Sequence, residues 1–232
     1  MSNGTKVKKR DGRIEPLDLE KMHLMVEEAT KGLAGVSASQ VEMKSGIQFY
    51  DGITTAEIQE ILIKAASDLI DLDHPNYQFV AARLLLFSLR KSLYGKMREL
   101  PHLESHIMDC CARDVYDKDI FTKYSKEEIA KANSMIDHDR DFLFTYAGLR
   151  QVVDKYLVQD RSTGGVYETP QFMYIMIALT IFRDYPKETR LSYVKRYYDA
   201  ISRHRLNIPT PIMAGVRTPL RQFASCVLVD VD

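Results

Sequence analysis

Two stretches of this sequence hold residue types that could do chemistry. In "VKKRDGRIEPLDLEK", residues 7–21, Lys8, Lys9 and Arg10 precede a turn, Glu15 follows it, and Asp18, Glu20 and Lys21 open an apolar-periodic run. A polyphosphate is held by several cations and by free backbone amides, and a helix N-terminus beside a basic strand offers both. A carboxylate in the same place can accept from an amino group or a ribose hydroxyl. Residue types alone leave equally open a solvated hairpin whose charges bind nothing in particular. The second stretch, "PTPIMAGVRTPLRQFASCVLVDVD", carries Cys226 and several hydroxyl side chains among prolines and one glycine. Hydroxyls and amides in such a loop can approach a ligand closely, and a thiol there can do redox chemistry. A lone cysteine beside "VLV" reads as readily as a small buried hydrophobe.

Other clusters weigh less. Asp137, His138, Asp139 and Asp141 in "DHDRD" have the right types for a metal, but adjacent positions do not converge easily on one ion, and charges at a helix end explain them. Cys110 and Cys111 are neighbours on a predicted helix, where successive side chains diverge by about 100°, which favours two free thiols. Tyr193, Tyr197 and Tyr198 read as helix packing.

Elements that could position these residues follow from pattern. The 232 residues, 45% hydrophobic, suffice for one or two domains of about 100–200 residues. The 32 basic and 32 acidic residues are well mixed, which argues against a nucleic-acid-binding face. No apolar run approaches the roughly 18–20 residues of a membrane span, and the N-terminus lacks a signal peptide's apolar segment, so a cytoplasmic protein with reduced thiols is expected. Asp11-Gly12 predicts a two-residue hairpin turn. Leu19, Met22, Val26, Ala29 and Leu33 predict a helix stopped by Gly32 and Gly35. Thr54 and Glu57 form a capping box before a second helix, and residues 75–94 predict an interior one. This hairpin with about four helices ends near Gly95. From Pro101 to about Tyr156 the reading stays helical, with a capping box at Ser125 and Glu128. A hairpin is expected at 156–168, then two helices, Pro170–Phe182 and Glu188–Ser202, each with alternating apolar and charged faces. Beyond them the chain should be extended segments and loops leading to a strand at Val227–Val229.

The order of these segments resembles a known family. The basic strand, "KRDG" turn and following helix resemble the ATP-cone of the aerobic ribonucleotide reductases. "QFYDGITTAEI", "AARLLLFSLRKSLYG", "KYLVQDRSTGGVYETPQF", "TRLSYVKRYYDAIS" and "PTPIMAGVRTPLRQFASCVL" resemble successive segments of the large (α) subunit of class I ribonucleoside-diphosphate reductase. The resemblance implies a mainly α fold: a β-hairpin plus helical bundle forming an ATP-cone over residues 1–95, a helical domain over 96–205, and from 206 to 232 the entry into a ten-stranded α/β barrel. It also implies that Lys9, Arg10, Glu15, Asp18, Lys21, Thr55 and Lys91 surround an allosteric ATP or dATP. Lys91 ends a largely buried helix, which would fix its stem while the ammonium reaches a phosphate. Thr210 and Ser225 would contact the ribonucleoside diphosphate, and Cys226 would be one of two reducing thiols. Asp18 and Gln59 stand where many members carry Asn and His, so the resemblance carries nucleotide binding further than it carries inhibition by dATP.

The family's large subunit is about three times as long. Its remaining part would hold the radical cysteine, the second reducing thiol, the redox tail and the specificity-effector loop, so this chain alone should be inactive. The implied partners are the remaining large-subunit polypeptide, a radical-generating small subunit carrying the metal-radical cofactor, and thioredoxin or glutaredoxin. No metal is expected in this chain, and an oligomer is. An expression fragment and a naturally split subunit both fit, and residues from about 206 onward are expected to order on meeting the complementary chain. A free-standing nucleotide sensor is the alternative, although the paired CxxC motifs of cone-bearing repressors are absent.

Overall fold

The computed structural model describes residues 5–46, 48–160, 162–220, 223, 224, 226 and 228. It forms two compact units, one of residues Met1–Ser92 with Phe142–Arg150, the other of Leu93–Asp141 with Gln151–Asp232.

In the first unit, strands β1 (Lys6–Lys8), β2 (Ile14–Pro16) and β3 (Ile53–Thr54) form one sheet in the order β2-β1-β3. β1 pairs antiparallel with β2, Val7 opposite Glu15, and parallel with β3, Val7 opposite Ile53 and Lys8 opposite Thr54. Val7 and Ile53 are buried, which fixes the register, since a one-residue slip would turn both outward. The sequence pattern predicts the hairpin but not β3, a two-residue strand too short to show periodicity.

The hairpin turn differs from expectation. Lys9 pairs with Arg13 through an N–H···O bond of 2.8 Å, and Gly12 N donates to Lys9 O at 3.0 Å. Three residues therefore bridge the strands, and among them Gly12 alone has positive φ, at +86°. This is a turn closed by a left-handed glycine, the three-residue alternative to the two-residue turn that Asp-Gly pairs favour. Asp11 stays out of the left-handed region because its carboxylate accepts from Arg13 N at 3.1 Å and Arg13 Nε at 2.8 Å.

Helices α1 (Leu19–Thr30), α2 (Ala38–Gly46), α3 (Thr55–Ser67) and α4 (Tyr77–Tyr94) complete the bundle, with Leu93 and Tyr94 falling in the second unit. The Asp18 side chain caps α1, and Thr54 and Glu57 cap α3 reciprocally as predicted. Val80, Ala81, Leu84, Leu86 and Phe87 of α4 are all buried, as the apolar character of 75–94 requires. Tyr77 ties α4 to α2 by donating its hydroxyl to Gln40 Oε1 at 2.5 Å.

The second unit holds α5 (Leu103–Ala112), α6 (Ile120–Lys123) and α7 (Lys126–Asn133), with α9 (Pro170–Ile181), α10 (Lys187–Ser202) and α11 (Thr210–Gly215). In chain order a 3-10 segment (His138–Leu143) and α8 (Tyr146–Lys155) follow α7, with residues Phe142–Arg150 belonging to the first unit. The capping box of Ser125 and Glu128 is present. The expected hairpin is reduced to one antiparallel bridge, Gln159 opposite Val166.

Two expectations are corrected. α9 has no charged face: Pro170 to Leu179 are buried without a break, so it is an interior helix with neighbours all round, while α10 keeps an exposed polar face. The stretch after Pro209 is not wholly extended, because α11 forms there. Pro209 at its N-cap and Pro211 in its first turn have fixed φ that suits a helix start, and the first turn does not require their missing N–H. Of the expected strand, Val227 and Val229 lie outside the described residues, and Leu228 is exposed and in no element.

The charged "DHDRD" stretch is used in packing. Arg140 is buried over the Tyr198 ring at 5.0 Å, bonded to Ser202 Oγ at 2.7 Å and paired with Asp137 and Asp199 at 3.2 and 2.8 Å. Asp141 accepts from Gln171 Nε2 at 2.9 Å, and Gln171 accepts from the buried Tyr198 hydroxyl at 2.6 Å. Tyr193 and Tyr197 pack on Phe182 with ring centroids 5.7 and 5.6 Å away. Cys110 and Cys111 are buried free thiols, and burial pushes both pKa values up.

Candidate functional site

The first site is built where β1 enters the turn. Lys9 follows the last residue of the strand, and its ammonium lies 3.2 Å from Glu15 Oε2 on the partner strand. Glu15 is shared, because Arg13 Nη1 approaches its other oxygen at 3.0 Å. Arg13 is also paired with Asp11 at 2.8 Å, so this arginine is committed to the turn. Arg10, at the exposed turn, has no carboxylate partner among the described residues.

β2 leads through Leu17 to Asp18, whose Oδ1 accepts the Lys21 backbone N–H at 2.9 Å. The carboxylate near the cations is thus occupied as a helix cap. Its charge is countered by the partial positive end of α1. The side chain of Lys21 projects from the first turn of the same helix.

Lys91 arrives from α4. Its ammonium lies 3.7 Å from Met25 Sδ on α1, with no carboxylate partner among the described residues. Burial, then the nearby Lys21, Arg10 and Lys9, hold its pKa below the usual lysine range. Lys91 thus lies within electrostatic reach of three other cations, drawn from a strand end, a turn and a helix start. Gln59, buried on α3, directs its amide nitrogen towards the same Met25 sulfur at 3.9 Å, while its Oε1 has no hydrogen-bond partner among the described residues. Thr55 opens α3, one residue beyond the Lys8–Thr54 pair of the sheet. The fold thus brings together Lys9, Arg10, Lys21 and Lys91, sets Glu15 and Asp18 among them as paired groups, and places Thr55 at the adjoining strand end. Met25 escaped the sequence reading, because a methionine on an apolar helix face is indistinguishable from core.

The C-terminal residues stand differently. Thr210 is the exposed first residue of α11, Cys226 is an exposed free thiol, and Ser225 lies outside the described residues. Among the described residues no hydrogen bond joins Thr210 to Cys226. Arg217 and Glu168, both buried, also escaped the sequence reading, although a charge inside each of "VYETP" and "GVRTP" was a usable signal.

Among the described residues no group of three His, Cys, Asp or Glu side chains is placed to hold a metal ion. No helix of the described residues is long and apolar enough to cross a membrane.

Residues 5–92 match the family described as the ATP cone domain, and residues 142–221 match the ribonucleotide reductase all-alpha domain. The chain is 51% identical over 230 residues to ribonucleoside-diphosphate reductase 1 subunit alpha of Escherichia coli (strain K12), covering 99% of this chain and 30% of that protein. It is 50% identical over 232 residues to the ribonucleoside-diphosphate reductase subunit alpha of Haemophilus influenzae, covering all of this chain and 31% of the relative. It is 46% identical over 198 residues to that of Enterobacteria phage T4, covering 84% and 26%. The chain spans less than a third of the length of these curated relatives.

Proposed function

As a member of the class I ribonucleoside-diphosphate reductase large-subunit family, matching its N-terminal region, this chain is, we propose, the effector-binding portion of a reductase. It would sense ATP or dATP in the first unit and contribute substrate and redox residues from its C-terminal stretch.

The observation that carries the nucleotide reading is Lys91, half-buried within reach of three other cations and without a carboxylate partner among the described residues. Like charges held together raise the energy of the nucleotide-free protein, and a polyphosphate relieves that repulsion as it binds. The surrounding groups fit such a ligand. Glu15 and Asp18, the two carboxylates in the cluster, are already paired with Lys9 and Arg13 or with a backbone amide. Asp18 in place of the Asn of many relatives therefore need not repel the phosphates. The orphaned Gln59 Oε1 can accept an amino or hydroxyl proton from the nucleoside.

In the second function, Thr210 and Ser225 would hold the ribonucleoside diphosphate and Cys226 would supply one of two thiols. Removal of the ribose 2′-hydroxyl as water consumes two electrons and leaves the thiol pair as a disulfide, which an external dithiol of the thioredoxin or glutaredoxin type reduces again. The second thiol and the radical would come from the rest of the large subunit and from the small subunit.

Calorimetric titration of this chain with ATP, dATP and adenosine tests the first function, with binding expected for both triphosphates and lost for the nucleoside. Mixing the chain with the remaining large-subunit polypeptide and the small subunit, then assaying diphosphate reduction, tests the second. Cys226→Ser is expected to abolish reduction while leaving ATP affinity unchanged. Nucleotide binding without reduction in any mixture would favour a free-standing sensor.

A further inference from the structure

The second unit contains a charged pair with no role so far. Arg217 and Glu168 are both 0% exposed. Arg217 Nε donates to the Glu168 oxygens at 3.1 and 2.9 Å, Nη2 donates to Glu168 Oε1 and to Tyr156 O at 2.9 Å, and Nη1 donates to Met213 O at 2.5 Å. Glu168 is held from its other side by Val158 N at 2.7 Å and by the Tyr116 hydroxyl at 2.5 Å. Tyr116 in turn meets His106 Nε2 at 3.1 Å, and the His106 ring stacks on Phe172 with centroids 4.1 Å apart. One connected network thus runs from α5 and α9 to the carbonyl end of α11.

α11 depends on that network. It is six residues long, too short to persist alone, and Met213 is its only fully buried side chain. Its C-terminal carbonyls are taken by side chains: Met213 O by Arg217, and Gly215 O by Thr218 Oγ1 at 2.8 Å. The Arg217 carbonyl also accepts from Asp117 N at 2.9 Å. Apolar residues of equal volume could fill the same space, but they would leave the Met213 and Tyr156 carbonyls and the Val158 amide without these partners. What a bidentate pair adds is a fixed orientation.

We propose that Glu168 and Arg217 are positioning residues that orient α11 on the helical unit and so present Thr210, at its start, to a ribonucleoside diphosphate. This rests on the reading of Thr210 as a substrate residue.

The test uses the double variant Glu168→Leu/Arg217→Met, which keeps the volume and removes both charges together, beside the single variant Arg217→Lys. Each is studied by amide hydrogen exchange and, in the reconstituted complex, by diphosphate-reduction kinetics and ATP affinity. Exchange at residues 210–217 is expected to rise at least tenfold while α9 and α10 keep their protection. KM for the diphosphate should rise at least tenfold with kcat changed less than threefold and ATP affinity unchanged. Unchanged exchange at 210–217 in the folded double variant overturns the role of the pair. Exchange that rises throughout the unit makes the pair merely structural and also overturns it. A complex of unsubstituted chains that reduces nothing overturns instead the reading of Thr210, and with it the purpose assigned to the pair.

Discussion

Replacing Lys91 with Met should have two effects of opposite sign. A hydrogen bond to a charged partner contributes about 1.5–3 kcal/mol. At tenfold per 1.4 kcal/mol, its loss should weaken ATP binding by roughly 10- to 150-fold. The upper part of that range is favoured because the ammonium is half-buried: two unit charges about 4 Å apart at an effective dielectric near 20 attract by about 4 kcal/mol, several times the value in water. The nucleotide-free protein should respond in the other direction. Burial and the cations Lys21, Arg10 and Lys9 lower the Lys91 pKa on folding. The unfolded chain therefore holds the proton more tightly, and at neutral pH the charged ammonium destabilises the fold. That penalty is relieved as pH rises through the lowered pKa towards the unfolded value. Methionine keeps most of the stem's packing against Met25 and removes the charge, so the thermal midpoint without nucleotide should hold or rise. Calorimetric titration and melting curves with and without ATP measure both effects. An ATP Kd within twofold of the unsubstituted protein, or a nucleotide-free stability loss above about 1 kcal/mol, would refute the reasoning.

Asp18→Asn should keep the cap on α1 and leave ATP affinity equal or tighter, whereas Asp18→Ala should cost about 1 kcal/mol of stability, both read by melting and titration. His106 is held neutral by burial, with its pKa down at about 4 against 6.5. The unfolded chain takes up that proton first as pH falls, so about 3 kcal/mol of stability should be lost between pH 6.5 and 4. Urea unfolding across that window should show the slope, and His106→Phe should flatten it. Arg190 lies 4.2 Å over the Tyr124 ring and donates to both Glu128 oxygens, so Arg190→Met, which leaves Glu128 without its cation, should lower stability by about 3–5 kcal/mol in urea unfolding at pH 7.

Features written in local chemistry were legible in the sequence. Both capping boxes lie where a serine or threonine and a glutamate three residues on demand them, and Gly32 and Gly95 stand at helix ends with φ of +74° and +72°. Features decided by tertiary contacts were not legible. β3 exists because β1 offers an open edge, and nothing in "GITTAE" separates a two-residue strand from a loop. The turn at Asp11-Gly12 adopts three residues because Arg13 binds the Asp11 carboxylate, a contact that dipeptide preference does not include. α11 is nearly hidden for a related reason. Its helix is held by Arg217 and Thr218 from beyond its end, so its own six residues carry no helical period.

The candidate effector site shows why balanced charge was a poor guide to it. Between Lys6 and Lys21 six basic residues stand against four acidic ones, and a reading by totals finds only a small net charge. The fold sorts them. Asp11 and Glu15 neutralise Arg13 and one side of Lys9, and Asp18 is spent on a backbone amide, so the carboxylates that would repel a phosphate are withdrawn. Arg10 and Lys21 keep no carboxylate among the described residues, and α4 brings Lys91 in beside them from a helix that is otherwise interior. A local excess of positive charge therefore exists inside a chain whose formal net charge is zero. Its repulsion is tolerable because the buried faces of α3 and α4 hold the bundle together independently of it. With stability drawn from one part of the bundle and repulsion kept in another, an anion bound there would gain the relieved repulsion as differential affinity for the state that holds the cations together, and that differential sets how far it can shift the unit's equilibrium.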